Sequence, residues 1–216
     1  METKGIIFDL DGVIVTTDNY HYLAWKRIAD DEGIYFDREI NERLRGVSRM
    51  ASLDILLEKA DRTYSDEEKK RLAEIKNNFY RESLKDLTPD AIFPGVMEIL
   101  DELKRRGIKI AIASASRNTP AILDYIGLAD YFDAVADGNA VTRSKPDPEV
   151  FLVAAQRLGL EPKYCIVVED AVAGVEAGLA GGMRVVAVGY ASRDERAHLR
   201  ADALKDLTVD QLIACG

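Results

Sequence analysis

The sequence is poor in the residues that build soft-metal sites and disulfide frameworks. It holds 2 cysteines and 2 histidines in 216 residues. Cys165 and Cys215 lie far apart, and with His21 and His198 they form no zinc-ligand spacing. That excludes a disulfide scaffold and a structural zinc site, and a reducing, cytoplasmic setting is expected. Basic charge is also in deficit: Lys and Arg total 29 against 38 Asp and Glu, a net charge of -9. A duplex-binding face is therefore excluded, because phosphate contacts need a basic surface. No apolar run approaches the ~18 residues of a membrane span, so no membrane partner is expected. The stretch before Asp9 is too short and too acidic for a signal peptide. Internal repeats and low-complexity tracts are missing. What remains is ordinary globular composition, 47% hydrophobic and 31% charged, with enough chain for one to two domains.

The apolar pattern divides the chain. Lys4 to Asp9 reads as a short buried strand ending in a polar turn. A long helical stretch follows: Leu53, Leu56, Leu57 and Ala60 repeat at i, i+3, i+4, i+7, and Leu72, Ile75 and Phe79 continue the face. No strand is expected between Val15 and Leu87. Beyond Thr88-Pro89-Asp90 the signal alternates. Strands are predicted at 108–113, 134–136, 166–168 and 184–188. Helices are predicted around Val96–Leu103, Ile122–Ile126, Val150–Leu158 and Val172–Leu179, several closed by glycine. The tail after Ala203 reads as a short strand and a final helix at 209–213. Continuous apolar strands alternating with amphipathic helices predict an α/β fold with a Rossmann-like parallel sheet covered on both faces. The first strand must join that sheet, because alone it could bury nothing. The helical block is then an insertion, a helical cap domain over 16–87 above a core of 1–15 and 88–216.

In such a sheet ligands bind beyond the C-terminal strand ends. Those ends gather Asp9 and Asp11; Ser114, Ser116, Arg117 and Asn118; Lys145; and Glu169 and Asp170. Singly, each has an ordinary explanation. Asp11-Gly12 suits a turn, Asn118 a helix N-cap, Lys145 a solvated surface, Asp147-Pro148 a helix start. Together they suit phosphoryl transfer. Hard oxygen ligands without His or Cys select magnesium; Asp9, the Asp11 carbonyl, Glu169 and Asp170 can supply them. A carboxylate can also serve as nucleophile, forming an aspartyl-phosphate. Lys145 and Ser114 would offset charge on the transferring group, and backbone N–H groups after Ala115 would face the same rim. Asp11 shares a face with Asp9 in extended chain. Nearby anions are expected to raise its pKa and suit it to general acid work.

Phe8-Asp9-Leu10-Asp11-Gly12-Val13, Ser114-Ala115-Ser116, Lys145-Pro146-Asp147-Pro148 and Glu169-Asp170 resemble the four motifs of the haloacid dehalogenase-like superfamily, in order and spacing. Asp11 resembles its phosphotransferase branch. In the cap, Tyr20-His21-Tyr22-Leu23-Ala24-Trp25-Lys26 and Arg45-Gly46-Val47-Ser48-Arg49-Met50-Ala51-Ser52-Leu53 resemble the β-phosphoglucomutase family. That family interconverts β-glucose 1-phosphate and glucose 6-phosphate through β-glucose 1,6-bisphosphate. The resemblance implies Asp9 as nucleophile, Asp11 as general acid/base, and Ser114 and Lys145 around the transferring phosphate. It implies one Mg2+ per chain, with Asp9, Asp11, Glu169 and Asp170 at the metal positions. Arg49, Ser116, Arg117 and Asn118, beside Ala115, match positions holding the second phosphate. Trp25, Gly46, Val47, Ser52 and Lys76 match the sugar pocket, and His21 a position coupling cap closure to the acid/base. The expected partner is a small-molecule sugar phosphate, and the expected state is a monomer.

Three positions depart from the family pattern. Val15-Thr16-Thr17 stands where the family has a Thr-Asp-Thr run near the hinge. Arg45 replaces a common lysine, and Met50-Ala51 an often acidic pair. Two rival readings share the core motifs: a sugar-phosphate phosphatase, and a non-enzymatic phosphosugar-binding protein with a decayed site. His198 and Cys165 are expected to be structural, and Lys69-Lys70-Arg71 a solvated helix face.

Overall fold

The computed structural model describes residues 2–215. One sheet of six parallel strands forms the centre, in spatial order β3-β2-β1-β4-β5-β6. The strands are β1 (Gly5–Phe8), β2 (Lys109–Ala113), β3 (Ala134–Ala136), β4 (Cys165–Glu169), β5 (Arg184–Ala187) and β6 (Leu199–Arg200). The chain builds outward from β1 through β2 to β3, then returns to the other side of β1 with β4. That reversal places a crevice beyond the ends of β1 and β4.

Pleating splits each strand between two cores. Ile6 and Phe8 face one core, with α5 (Val96–Arg105), α6 (Thr119–Tyr125) and α9 (Val209–Ile213) covering that side. Ile7, Val167 and Val185 face the other, beneath α7 (Glu149–Leu158) and α8 (Val172–Ala180). The inner strands are buried on both faces, which is why they read as unbroken apolar runs.

The helical block comprises α1 (Asp18–Asp31), α2 (Arg38–Glu42), α3 (Arg49–Leu57) and α4 (Asp66–Ser83). It has a core of its own around Trp25, Ile28, Leu53, Leu56 and Leu72. A Ser65/Glu68 capping box starts α4. Ser48 accepts from the Ala51 N–H and so sets Arg49 as the first helical residue of α3. Tyr80, Leu84 and Leu87 pack with the sheet's core instead, so the C-terminal end of α4 is stitched to the sheet.

Some expectations shift. The sixth strand precedes Ala203, and the chain after it forms a 3-10 turn at Leu204–Asp206. A two-residue edge strand held by backbone pairing leaves no apolar pattern to read. Val172 lies at the exposed start of α8, at 45% exposure, rather than on its buried face. Among the described residues no helix is long and apolar enough to cross a membrane.

Candidate active site

A cavity of about 650 Å3 opens between the strand ends and the helical block. Every residue proposed from the sequence as catalytic or substrate-binding lines it: Asp9, Asp11, Ser114, Lys145 and His21, then Trp25, Gly46, Val47, Arg49, Ser52, Lys76, Ala115, Ser116, Arg117 and Asn118. Asp170 lines it too, whereas Glu169 does not.

The floor is a buried charge cluster. Asp9 follows β1, Lys145 precedes α7, and Glu169 ends β4. Lys145 is 1% exposed, so the solvated-surface reading fails. Its ammonium donates to Asp9 Oδ1 and Glu169 Oε1, each at 2.5 Å, and to the Ala113 carbonyl at 3.2 Å. Glu169 also accepts the Ala171 N–H at 2.8 Å. Its side chain is spent on holding Lys145, which is why it is absent from the cavity wall. Gly174 makes room for this: a Cβ there would sit 1.9 Å from Glu169 Oε1. Burial, with Glu169 adding repulsion, pushes the Asp9 carboxyl up to about 7 against the pull of Lys145. Burial lowers the proton affinity of Lys145, but Asp9 and Glu169 outweigh it and keep the ammonium charged. Ser114 Oγ accepts the Ser116 N–H at 3.1 Å, which leaves its own hydrogen free for a ligand.

Asp11 behaves differently from the expectation. Burial alone would raise its pKa, but His21 and Thr17 outweigh it and hold the carboxyl below the usual range. Thr17 donates both its N–H, at 2.9 Å, and its hydroxyl, at 2.5 Å, to Asp11 Oδ1. Because the Thr17 hydrogen goes to Asp11, the Tyr80 hydroxyl donates to Thr17 Oγ1 at 2.9 Å. His21 Nε2 lies 3.6 Å from Asp11 Oδ2. The His21 ring stacks on Tyr80 and its Nδ1 accepts from the Lys76 ammonium at 2.8 Å. The ring proton therefore sits on Nε2, facing Asp11. Tyr80 does not stand out in the sequence, and Thr17 stands out only as part of a departure from the family pattern near the hinge. For Tyr80 the one available signal is the i, i+4 spacing of Lys76 and Tyr80 on α4.

The roof is rich in cations without carboxylate partners. Burial drives Lys76 down to about 7, and Arg49 adds repulsion. Its ammonium lies over the Trp25 and Tyr80 rings at 4.8 and 4.7 Å. Burial, then Arg117, lowers the proton affinity of Arg49. Arg117 donates to the Gly138 carbonyl at 3.2 Å. Asn118 precedes α6 but does not cap it with its side chain; its amide donates to Asn77 Oδ1 on α4 at 2.9 Å. Its own N–H goes to Ser116 Oγ at 3.1 Å. The N–H groups of Ser116 and Asn118 are thus taken by serine hydroxyls and do not point free at the rim. Lys69 pairs with Asp54 at 2.8 Å, and Lys70, expected to be solvated, lines the cavity.

The site suits a hard divalent cation by its donors and its charge. Asp9 and Asp170 are carboxylates, and burial followed by repulsion from Glu169 and Asp9 pushes Asp170 well above its usual range. Such an excess of buried negative charge is what a divalent cation relieves. Gly12, at φ +87, permits the approach of Asp170: a Cβ would lie 2.0 Å from Oδ2. Among the described residues no group of three or more Asp, Glu, His or Cys side chains forms a ready-made metal cluster. With Glu169 turned to Lys145, backbone carbonyls and water must complete any shell.

Residues 3–182 match the family described as "Hydrolase: haloacid dehalogenase-like hydrolase". The chain belongs to that family. Its likeness to particular members is nearly full-length. It is 43% identical to the β-phosphoglucomutase of Bacillus subtilis (strain 168), over 97% of this chain and 93% of the relative. The crystal structure of β-phosphoglucomutase from Clostridium difficile superposes with a TM-score of 0.91 at 41% identity, covering 96% of this chain and 94% of that one. A phosphorylated carbohydrates phosphatase of Thermotoga maritima is 33% identical, over 97% of this chain and 96% of the relative. Kinship of this kind marks an enzyme of the family's phosphomutase type, for which Mg2+ is the cofactor the family suggests.

Proposed function

We propose that the chain is a β-phosphoglucomutase, interconverting β-glucose 1-phosphate and glucose 6-phosphate through β-glucose 1,6-bisphosphate. The observation that supports this reading is a cavity lined by two sets of groups suited to phosphate. One is the floor of Asp9, Ser114 and Lys145; the other lies among Arg49, Arg117, Ser116 and Asn118. A bisphosphate intermediate needs both at once, whereas a phosphatase needs only the first.

In this reading Asp9 carries the phosphoryl group. The C6 hydroxyl of β-glucose 1-phosphate attacks phosphorus, the bond to the Asp9 oxygen breaks, and the hydroxyl proton passes to Asp11. Asp11, kept ionised by Thr17 and His21, is ready to accept it. The bisphosphate then turns end for end. Asp9 attacks the phosphorus at C1, and the C1 oxygen leaves with the proton from Asp11. Arg49 and Arg117 hold the phosphate that is not reacting, Arg49 with a fork suited to its oxygens. Trp25, Gly46, Val47, Ser52 and Lys76 bound the sugar, and His21 links Asp11 to Lys76 on α4. Asp9, Asp170 and the Asp11 carbonyl would hold Mg2+, with Glu169 acting through Lys145. When bound, Mg2+ offsets charge on the transferring phosphoryl group. Residues 16–87 act as the cap, and the sugar reorients while it is open. A reducing, cytoplasmic setting fits the two free, buried cysteines, and the chain acts as a monomer in this reading.

The test supplies Mg2+, β-glucose 1-phosphate and a trace of the 1,6-bisphosphate, and follows glucose 6-phosphate and inorganic phosphate in parallel, with the α anomer as control. Glucose 6-phosphate from the β anomer alone, with little free phosphate, is expected. Inorganic phosphate as the main product would transfer the reading to a sugar-phosphate phosphatase. No turnover of any phosphate ester in the presence of Mg2+ would favour a binding protein.

A further inference from the structure

Arg45 lies in the loop between α2 and α3 and reaches across to the core. Its Nη1 is 2.6 Å from Asp18 Oδ2 and 3.4 Å from Asp170 Oδ2, and its Nε is 2.6 Å from Glu42 Oε2. The guanidinium centre lies 5.8 Å from the ring of Tyr190, which covers it from the core side. Burial works against its charge, but Glu42, Asp18 and Asp170 outweigh burial and keep it. The next residue, Gly46, is pressed onto the core, where a Cβ would lie 2.9 Å from the Ala171 Cβ. Three carboxylates therefore share one planar fork, a geometry that a lysine's point charge would not reproduce.

Asp170 is the carboxylate at the meeting point. It lines the cavity and follows Glu169 in the chain, and Arg45 is the cation that reaches it from the helical block. We propose that Arg45 is a stand-in countercharge on Asp170, competing with the divalent cation, so that loading the metal loosens the loop carrying Gly46 and Val47. The proposal rests on the metal-binding reading above. The contact neutralises Asp170 while the metal is away and occupies one of its oxygens. A cation bound there repels the guanidinium and takes the same oxygen. Linkage then requires reciprocity: if metal weakens the Arg45 contact, Arg45 weakens metal binding by the same factor. Gly46 and Val47 line the cavity, so metal occupancy reaches the sugar pocket through backbone directly joined to Arg45.

The experiment titrates Mg2+ into substrate-free protein by calorimetry at fixed ionic strength, for wild type, Arg45→Gln and Arg45→Lys. Hydrogen exchange of residues 43–48 is followed with and without Mg2+. Arg45→Gln is expected to bind Mg2+ about tenfold more tightly, with Arg45→Lys between it and wild type. Exchange in the loop is expected to quicken with Mg2+ in wild type and to be fast in Arg45→Gln throughout. Mg2+ binding by Arg45→Gln alone, with none detectable in wild type, would also support the competition. Equal or weaker binding by a folded Arg45→Gln, or loop exchange indifferent to Mg2+ in wild type, would overturn it. Absence of Mg2+ binding in all three proteins would overturn both the competition and the metal reading beneath it.

Discussion

The floor and the roof of the cavity handle charge in opposite ways. On the floor, Lys145 is buried between Asp9 and Glu169 and pairs with both. In the roof, Lys76 is as deeply buried, yet it meets a neutral imidazole and two aromatic rings. Arg49 beside it meets a second arginine's field. The floor's ammonium has its carboxylate partners before any ligand arrives. The roof's cations lack such partners, and in the proposed function a phosphate dianion supplies the missing charge. Groups that react must be held in place, whereas groups that recognise a charge must leave room for it. Such buried, unmatched cations lower stability until the ligand binds.

Removing Asp9, the proposed nucleophile, should have the largest effect. Asp9→Asn is expected to abolish phosphoenzyme formation and to lower turnover by about 10^4-fold or more. Mass spectrometry after exposure to the bisphosphate reads this directly, and normal labelling would sink the nucleophile assignment. Disturbing the floor's geometry should cost less. Gly174→Ala drives a methyl into the Glu169 carboxylate and so unseats Lys145. A loss of stability of roughly 2 kcal/mol is expected, together with about a 100-fold drop in kcat. A variant with unchanged kcat would show that the cluster need not be rigid.

A change in the roof separates its task from the floor's. Arg49→Ala should lower mutase turnover by about 100-fold, in the range of a lost charge-assisted contact of ~2–3 kcal/mol. Hydrolysis of a small phosphate ester should fall much less. Equal losses in both assays would contradict a holding role for Arg49.

The smallest expected effect is a gain. Folded Lys76 titrates at about 7, against 10.5 for an ordinary lysine. Between these values the unfolded chain binds the extra proton, so this group's contribution to stability rises with pH across that window. Its burden is full below about pH 7 and is lifted as pH climbs to the ordinary lysine value. Lys76→Met should therefore stabilise the protein by roughly 2 kcal/mol at pH 6, since each tenfold loss of proton affinity is worth about 1.4 kcal/mol before lost contacts are counted. The gain should shrink as pH rises, measured by denaturant titrations across the range. A gain independent of pH would mean that packing, not charge, is responsible. Weaker substrate binding should accompany the gain.

Much of the floor is legible in the sequence. Asp9, Ser114 and the Glu169-Asp170 pair each follow an apolar run, and a parallel sheet brings such positions to one edge. Lys145 is legible through its place among those motifs, although its burial is not. The proton affinity of Asp11 is not legible either. Asp11 stands beside other acids in the chain, which points to a raised pKa. Burial raises it, but His21 and then Thr17 outweigh burial and hold it down. Glu169 has the chain position of a wall residue, yet it is turned inward to Lys145. The edge strand β6 escapes a sequence reading because two residues held by backbone pairing carry no pattern.

The sequence by itself determined which residue types stand at the strand ends and which segments alternate between strand and helix. These follow from local periodicity and from the single direction of a parallel sheet. Only the tertiary structure decided which of two neighbouring carboxylates faces the cavity, how tightly Asp11 holds a proton, and that Arg45 reaches from the helical block to Asp170. Those outcomes depend on a few ångströms between side chains remote in the chain. At such distances burial and charge compete almost evenly, and no spacing along the sequence records which of them wins.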